Sequence, residues 1–278
     1  MNLKTAFSSC PNDTYIFDAM IHQKVDTEGL NFKFLIDDIE NLNKLAMHDE
    51  IDIVKLSYHA FAYVSENFQI LDAGSALGFG NGPLLVSKRK IYPDEMKDAK
   101  IAIPGKYTTA NLLLGIAFPE AKKKHEYLFS DIEEVVLSNE VDAGLIIHES
   151  RFTYEKKGLK KIIDLGEFWE NETKLPIPLG CIAVRRNLEN NTKLKIERVL
   201  KKSIEFAKNN PQSSFDFVKK YAQEIDNNVI SKHIDLYAND FTFSLKKEGK
   251  KAIETLFEKA TKLKLIPEIK EKLFLDNQ

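Results

Sequence analysis

Four short polar clusters in this chain carry residue types able to move a proton or hold an anion. They are Ser8 to Asp13 (SSCPND), Lys55 to Tyr58 (KLSY), Tyr107 to Asn111 (YTTAN) and His148 to Arg151 (HESR). His148 follows the apolar run Leu145 to Ile147. An imidazole titrates near neutrality and can take a proton at physiological pH; the competing reading is a histidine bonded to a loop carbonyl. Glu149 either orients that ring or pairs with Arg151. Thr108, Thr109 and Ala110 open a helix directly after a strand and a glycine. Unpaired N–H groups and the helix dipole favour an anion there, although Thr108 or Thr109 is equally well placed to act as a simple N-cap. Lys55 offers a positive charge to an acidic substrate, Ser57 caps the next helix or meets a ligand, and Leu56 presents only its backbone amide. Asp13 is a helix cap, a base or an acceptor for a sugar hydroxyl, with capping the leading role, and Asn12 is the alternative cap. Cys10 has no base paired with it in sequence and reads as an inert thiol. His22, His48, His59, His125 and His233 fall in or beside helical, mostly polar stretches.

The elements that position these clusters follow from hydrophobic period. Leu3 to Phe7, Phe32 to Ile36 and IDIVKLS read as strands, alternating with the helices TYIFDAMIHQ, DIENLNKLAMHDE and YHAFAYVSE. From Lys100 the order restarts: AKIAIPG, a strand around Glu126 to Phe129 and VDAGLIIH alternate with the helices TTANLLLGIAF and SDIEEVVLSNE. Such alternation predicts parallel sheets with crossover helices. PLLVSK (83–88) and GCIAVRR (180–186) read as connectors between the two units. The chain from Asn187 is mainly helical, with Val199, Leu200, Ile204 and Ala207 on one face and Ala252, Ile253, Leu256, Phe257 and Ala260 on another. The expectation is an α/β fold of two lobes with a cleft between them, the type II periplasmic-binding-protein arrangement. Residues 1–86 and 182–278 would form lobe one and 87–181 lobe two. Ligands of open α/β sheets bind beyond the carboxyl ends of strands, which sends all four polar clusters to the cleft.

Composition narrows the function classes. With 43% hydrophobic residues in 278, the chain can bury a core and is not a disordered one. A net charge of −2 gives no reason to expect nucleic acid or an anionic membrane as partner. Two distant cysteines, Cys10 and Cys181, form neither a metal motif nor a disulfide framework. No HExxH, P-loop, GxSxG or strand-to-helix GxGxxG occurs. The first residues lack an apolar signal-peptide core, so a cytoplasmic protein without membrane anchorage is expected. Oligomeric state is left open.

Read in order, FSSCPNDTYIFDAM, KLSYHAFAYV, GNGPLLVSK, IPGKYTTANLLL, AGLIIHESRFTY, LPIPLGCIAVRR and YANDFTFSLKKEGKKAIETLF resemble the 1,4-dihydroxy-6-naphthoate synthases of the futalosine route to menaquinone. The resemblance spans nearly the whole chain; Ser9 stands where that family usually has proline. It implies a lyase acting on cyclic dehypoxanthine futalosine, a carboxylated small molecule, and releasing 1,4-dihydroxy-6-naphthoate and a sugar-derived fragment. No metal or organic cofactor is implied. The histidine matching His148 is the proton acceptor of that family, and Lys55, Leu56, Ser57, Thr109 and Ala110, with Asn12 and Asp13, form the expected substrate-binding set. Two other readings stand beside it. One is a chorismate dehydratase-like enzyme of the same pathway, disfavoured by the histidine after LII and by the SCPNDT loop. The other is a non-catalytic binder of a small carboxylate.

Overall fold

The computed structural model describes residues 1–48, 51–222 and 226–275, apart from the side chains of Pro93 and Glu149. Lobe one begins β1 (Asn2–Ser8), α1 (Pro11–Ile21), β2 (Asn31–Asp37), α2 (Ile39–His48), β3 (Ile53–Ser57), α3 (Tyr58–Val64), β4 (Phe68–Ile70) and β5 (Ala76–Gly78). Lobe two contains β6 (Leu84–Ser87), β7 (Ile101–Ile103), α4 (Thr109–Ala117), β8 (Lys124–Glu126), α5 (Ile132–Leu137), β9 (Ala143–Ile146), β10 (Lys160–Asp164) and α6 (Leu165–Thr173). The chain returns through β11 (Ile177–Arg185) and ends in α7 (Asn190–Asn209), α8 (Phe215–Tyr221), α9 (Asn227–Tyr237), α10 (Asp240–Phe243) and α11 (Lys246–Lys262).

The first sheet has the order β2-β1-β3-β11-β4, with β5 also on β11, and the second has the order β10-β6-β9-β7-β8. Neither is purely parallel. β1 runs parallel to β2 and β3, and β7 parallel to β8 and β9, whereas β11 and β6 lie antiparallel to their neighbours. The runs read as connectors are therefore strands inside the sheets: PLLVSK supplies β6, and GCIAVRR is the second half of β11. Both are apolar on each face because each sheet buries them on both sides. The crossings fall before these strands, near residues 79–83 and 174–176, so 84–87 sit in the second sheet and 177–181 in the first. Three further differences are local. The strand expected at Glu126 to Phe129 lies at Lys124–Glu126. The second helix ends its described part at His48, its expected last residues Asp49 and Glu50 lying outside the described residues. The strand before His148 stops at Ile146.

Packing explains why the lobes hold their shape. Phe7 of β1 stacks on Phe17 of α1, rings 4.3 Å apart and 5° from parallel, and both are fully buried. Each such burial stabilises by about 1.5–3 kcal/mol. Val199, Leu200 and Ile204 of α7 close the same cluster, as their spacing predicts. A second cluster is continuous through both lobes, from Leu56 and Phe61 to Ile101 and Leu113 and on to Leu256 of α11. Among the described residues no helix is long and apolar enough to cross a membrane.

Candidate active site

Between the lobes lies a cleft walled by Ser8, Asp13 and Lys55 from lobe one and by Thr108, Thr109 and His148 from lobe two. Its lobe-one wall is organised around Asp13, which is 1% exposed. α1 starts at Pro11, because proline's fixed φ and missing N–H suit a first helical position. Asp13 thus lies inside the first turn instead of capping it, and the cap position falls to Cys10, which makes no side-chain cap bond. The Asp13 carboxylate accepts from Lys55 Nζ (2.6 Å), Asn12 Nδ2 (2.8 Å) and Ser8 Oγ (2.5 Å). Lys55 reaches the cleft from β3 by passing over Gly180 of β11. A Cβ at that glycine would stand 3.1 Å from Lys55 Cε and 2.9 Å from the Leu56 carbonyl, so only glycine keeps both strand pairing and lysine in place.

Asn12 spends its amide N–H on Asp13, which turns its Oδ1 to His233 Nε2 at 2.9 Å. That assignment makes His233 the Nε2–H tautomer. Burial, followed by the neighbouring His148 and Lys55, holds its pKa well below the ordinary histidine value. His233 lines up beside His148, ring centroids 6.1 Å apart.

His148 itself opens a short 3₁₀ turn, His148–Phe152, and has φ +58, in the left-handed region that side chains rarely adopt. Such strain persists where the surroundings fix it. Phe129 stands edge-on at 4.9 Å, and Cys10 Sγ lies 3.2 Å from Nδ1 and 3.5 Å from Nε2. Burial between the lobes, reinforced by the Lys55 cation, pushes the His148 pKa down to about 4. The ring is therefore neutral at physiological pH and keeps a basic nitrogen. Arg151 belongs to a different network, pairing with Asp164 at 3.3 Å and donating to the Gly82 carbonyl. The Glu149 side chain lies outside the described residues.

The remaining expected residues divide. Ser57 does not cap α3: its N–H donates to Asn43 Oδ1 (3.0 Å) and its Oγ accepts from Asn43 Nδ2 (3.2 Å), so it offers the cleft its hydroxyl hydrogen. Leu56, alternating with Lys55 and Ser57 along β3, turns into the core and is absent from the cleft wall. Thr108 is the N-cap, accepting the Asn111 N–H at 3.3 Å. Thr109 donates its hydroxyl to the Leu179 carbonyl. With both threonine hydroxyls committed, the N–H groups that head α4 at Thr109 and Ala110 are what this wall offers an anion. Asn12, Asp13, Lys55, Ser57, Thr109, Ala110 and His148 all line one cleft. Among the described residues no group of three or more His, Cys, Asp or Glu side chains forms a metal-binding set.

Three residues of the site escape the sequence reading. Cys10 has no base near it in sequence, but the fold brings the His148 ring to it from 138 residues away. His233 reads as part of a polar helix, yet it shares a buried stripe with Ile230 and Tyr237, a signal visible at i, i+3 and i+7. Asn81 lies in a glycine-rich loop that gives no such signal.

A family model described as menaquinone biosynthesis matches residues 3–262. The 1,4-dihydroxy-6-naphthoate synthase of Thermus thermophilus is 37% identical over 258 residues, 93% of each chain. That of Streptomyces coelicolor is 37% identical over 271 residues, 95% of each chain. A crystal structure of an Archaeoglobus fulgidus protein superposes with TM-score 0.90 at 38% identity, covering 95% of this chain and 98% of that one. The alkanesulfonate-binding protein of Xanthomonas axonopodis pv. citri shares the fold at 11% identity, TM-score 0.69, covering 96% of this chain and 95% of its own. The two lobes are thus those of the periplasmic binding proteins.

Proposed function

The chain belongs to the menaquinone-biosynthesis family and is a lyase-type enzyme, and from that premise we propose that it converts cyclic dehypoxanthine futalosine to 1,4-dihydroxy-6-naphthoate with His148 as general base. The observation that carries the reading is the neutral, cleft-facing imidazole of His148 near a lysine cation. Lys55 and the head of α4 suit the substrate carboxylate, since one brings charge and the other backbone donors aligned with a helix dipole. Ser57 adds a hydroxyl donor. His148, on the opposite lobe, takes the proton.

Fragmentation that ends in an aromatic naphthalenoid ring has a strong driving force of its own. The protein then supplies orientation, a base and exclusion of water. Walls drawn from two lobes meet the first and last needs together, and the reading draws on no cofactor. Its setting is the cytoplasm, with a small carboxylated molecule as the partner. Incubating purified protein with cyclic dehypoxanthine futalosine, with naphthoate followed by absorbance and mass, tests it: product formation is expected. Tight binding with no product sinks the enzyme reading, and turnover of chorismate instead moves the chain to the dehydratase.

A further inference from the structure

Asn81 sits in the crossing between β5 and β6, is 1% exposed and lines the cleft. Neither its Oδ1 nor its Nδ2 has a hydrogen-bond partner among the described residues. Leaving a buried polar group unsatisfied is unfavourable, and an unsatisfied group in a cleft wall points to a ligand that satisfies it. The amide is held by shape alone. It packs on the bare Cα of Gly78, where a Cβ would come within 2.9 Å of Nδ2. Asn239 presses on the same glycine, but its amide is committed to the carbonyls of Leu77 and Leu236.

A primary carboxamide presents an acceptor and a donor side by side. Its complement must donate and accept as well, which hydroxyl groups do and a carboxylate does not; a carboxylate would set one of its oxygens against Oδ1. The carboxylate has better hosts in Lys55 and the α4 N-terminus. We propose that Asn81 is a specificity residue that reads the hydroxyl groups of the sugar-derived part of the substrate. The proposal rests on the lyase reading and divides the cleft between two ends of one molecule.

The test compares Asn81→Ala and Asn81→Asp with the parent protein. Both raise KM for cyclic dehypoxanthine futalosine roughly 10- to 100-fold, while the Kd of the naphthoate product, which lacks the sugar-derived part, stays within about twofold. Retained product affinity also shows that the variants fold. Calorimetric Kd values for the intact substrate, taken in a His148→Ala background with and without Asn81→Ala, remove turnover from the measurement. Equal Kd values there, or parallel losses for substrate and product, overturn the assignment. Failure of the parent protein to form naphthoate overturns the lyase reading instead, so the two failures are distinct.

Discussion

At the scale of single residues the proposed chemistry turns on one imidazole, His148, whose burial and lysine neighbour lower its pKa. Removing it by His148→Ala should lower kcat by roughly 10²–10⁴-fold, the range of a general base, and leave substrate affinity within a few-fold. A variant with near-normal kcat would show that another group takes the proton. The acid limb of the rate profile is equally diagnostic. With its pKa held to about 4 in the free protein, His148 loses activity only as pH falls through that value, so kcat/KM should stay flat well below 6. Part of the depression comes from Lys55. A bound carboxylate offsets that charge, so the limb in kcat, which reports the complex, should lie at higher pH than the limb in kcat/KM. Coincident limbs would disconnect Lys55 from the bound carboxylate. Residue type and position were enough to single out His148 in the sequence, but its depressed pKa, its strained φ and the thiol beside it all come from segments remote in the chain.

At the scale of elements, one carboxylate ties three of them together. Asp13 joins the end of β1 through Ser8, the first turn of α1 through Asn12 and β3 through Lys55. Asp13→Ala leaves the Lys55 ammonium buried without its counter-ion, so the denaturant midpoint should drop by the equivalent of about 3–5 kcal/mol. Adding Lys55→Met should restore much of this, because removing both charges is far cheaper than stranding one. No recovery would mean that Asp13 stabilises the lobe by its bonds to Ser8 and Asn12 alone. The strand and helix around this carboxylate were legible from periodicity. Its role was not: a helix beginning at Asn12 or Asp13 makes the same pattern as one beginning at Pro11, and the choice moves Asp13 from the cap to the inner wall.

At the scale of the whole molecule, hydrogen bonds tie the two lobes to each other. The Tyr107 N–H of lobe two donates to both oxygens of Glu40 in lobe one, at 3.2 and 3.1 Å. His59 of α3 donates from Nδ1 to the Thr108 carbonyl at 3.1 Å. His59 is also held to a pKa of about 4, mainly by burial. His59, His148 and His233 are all depressed below their usual value. The folded chain therefore refuses protons that the unfolded chain accepts near 6.5, and stability is full above that pH and falls as pH drops toward 4. Thermal midpoints measured from pH 7.5 to 4.5 should decline steeply below about 6.5, with proton uptake on unfolding. A flat profile across that window would show these rings to be solvated.

The amino-acid order by itself determined the two alternating α/β units, the polar clusters at strand ends and the likeness carried by seven ordered motifs. These depend on local period, on turn residues and on residue type, all of which are written along the chain. The antiparallel insertion of β6 and β11, the convergence of Cys10 and His233 on His148, and the place of Asn81 in the same cleft wall were decided only by tertiary structure. An apolar run has the same composition whether it links two sheets or runs through the middle of one. A buried amide or imidazole acquires its chemistry from neighbours remote in the chain, as Asn12 does from His233, 221 residues away.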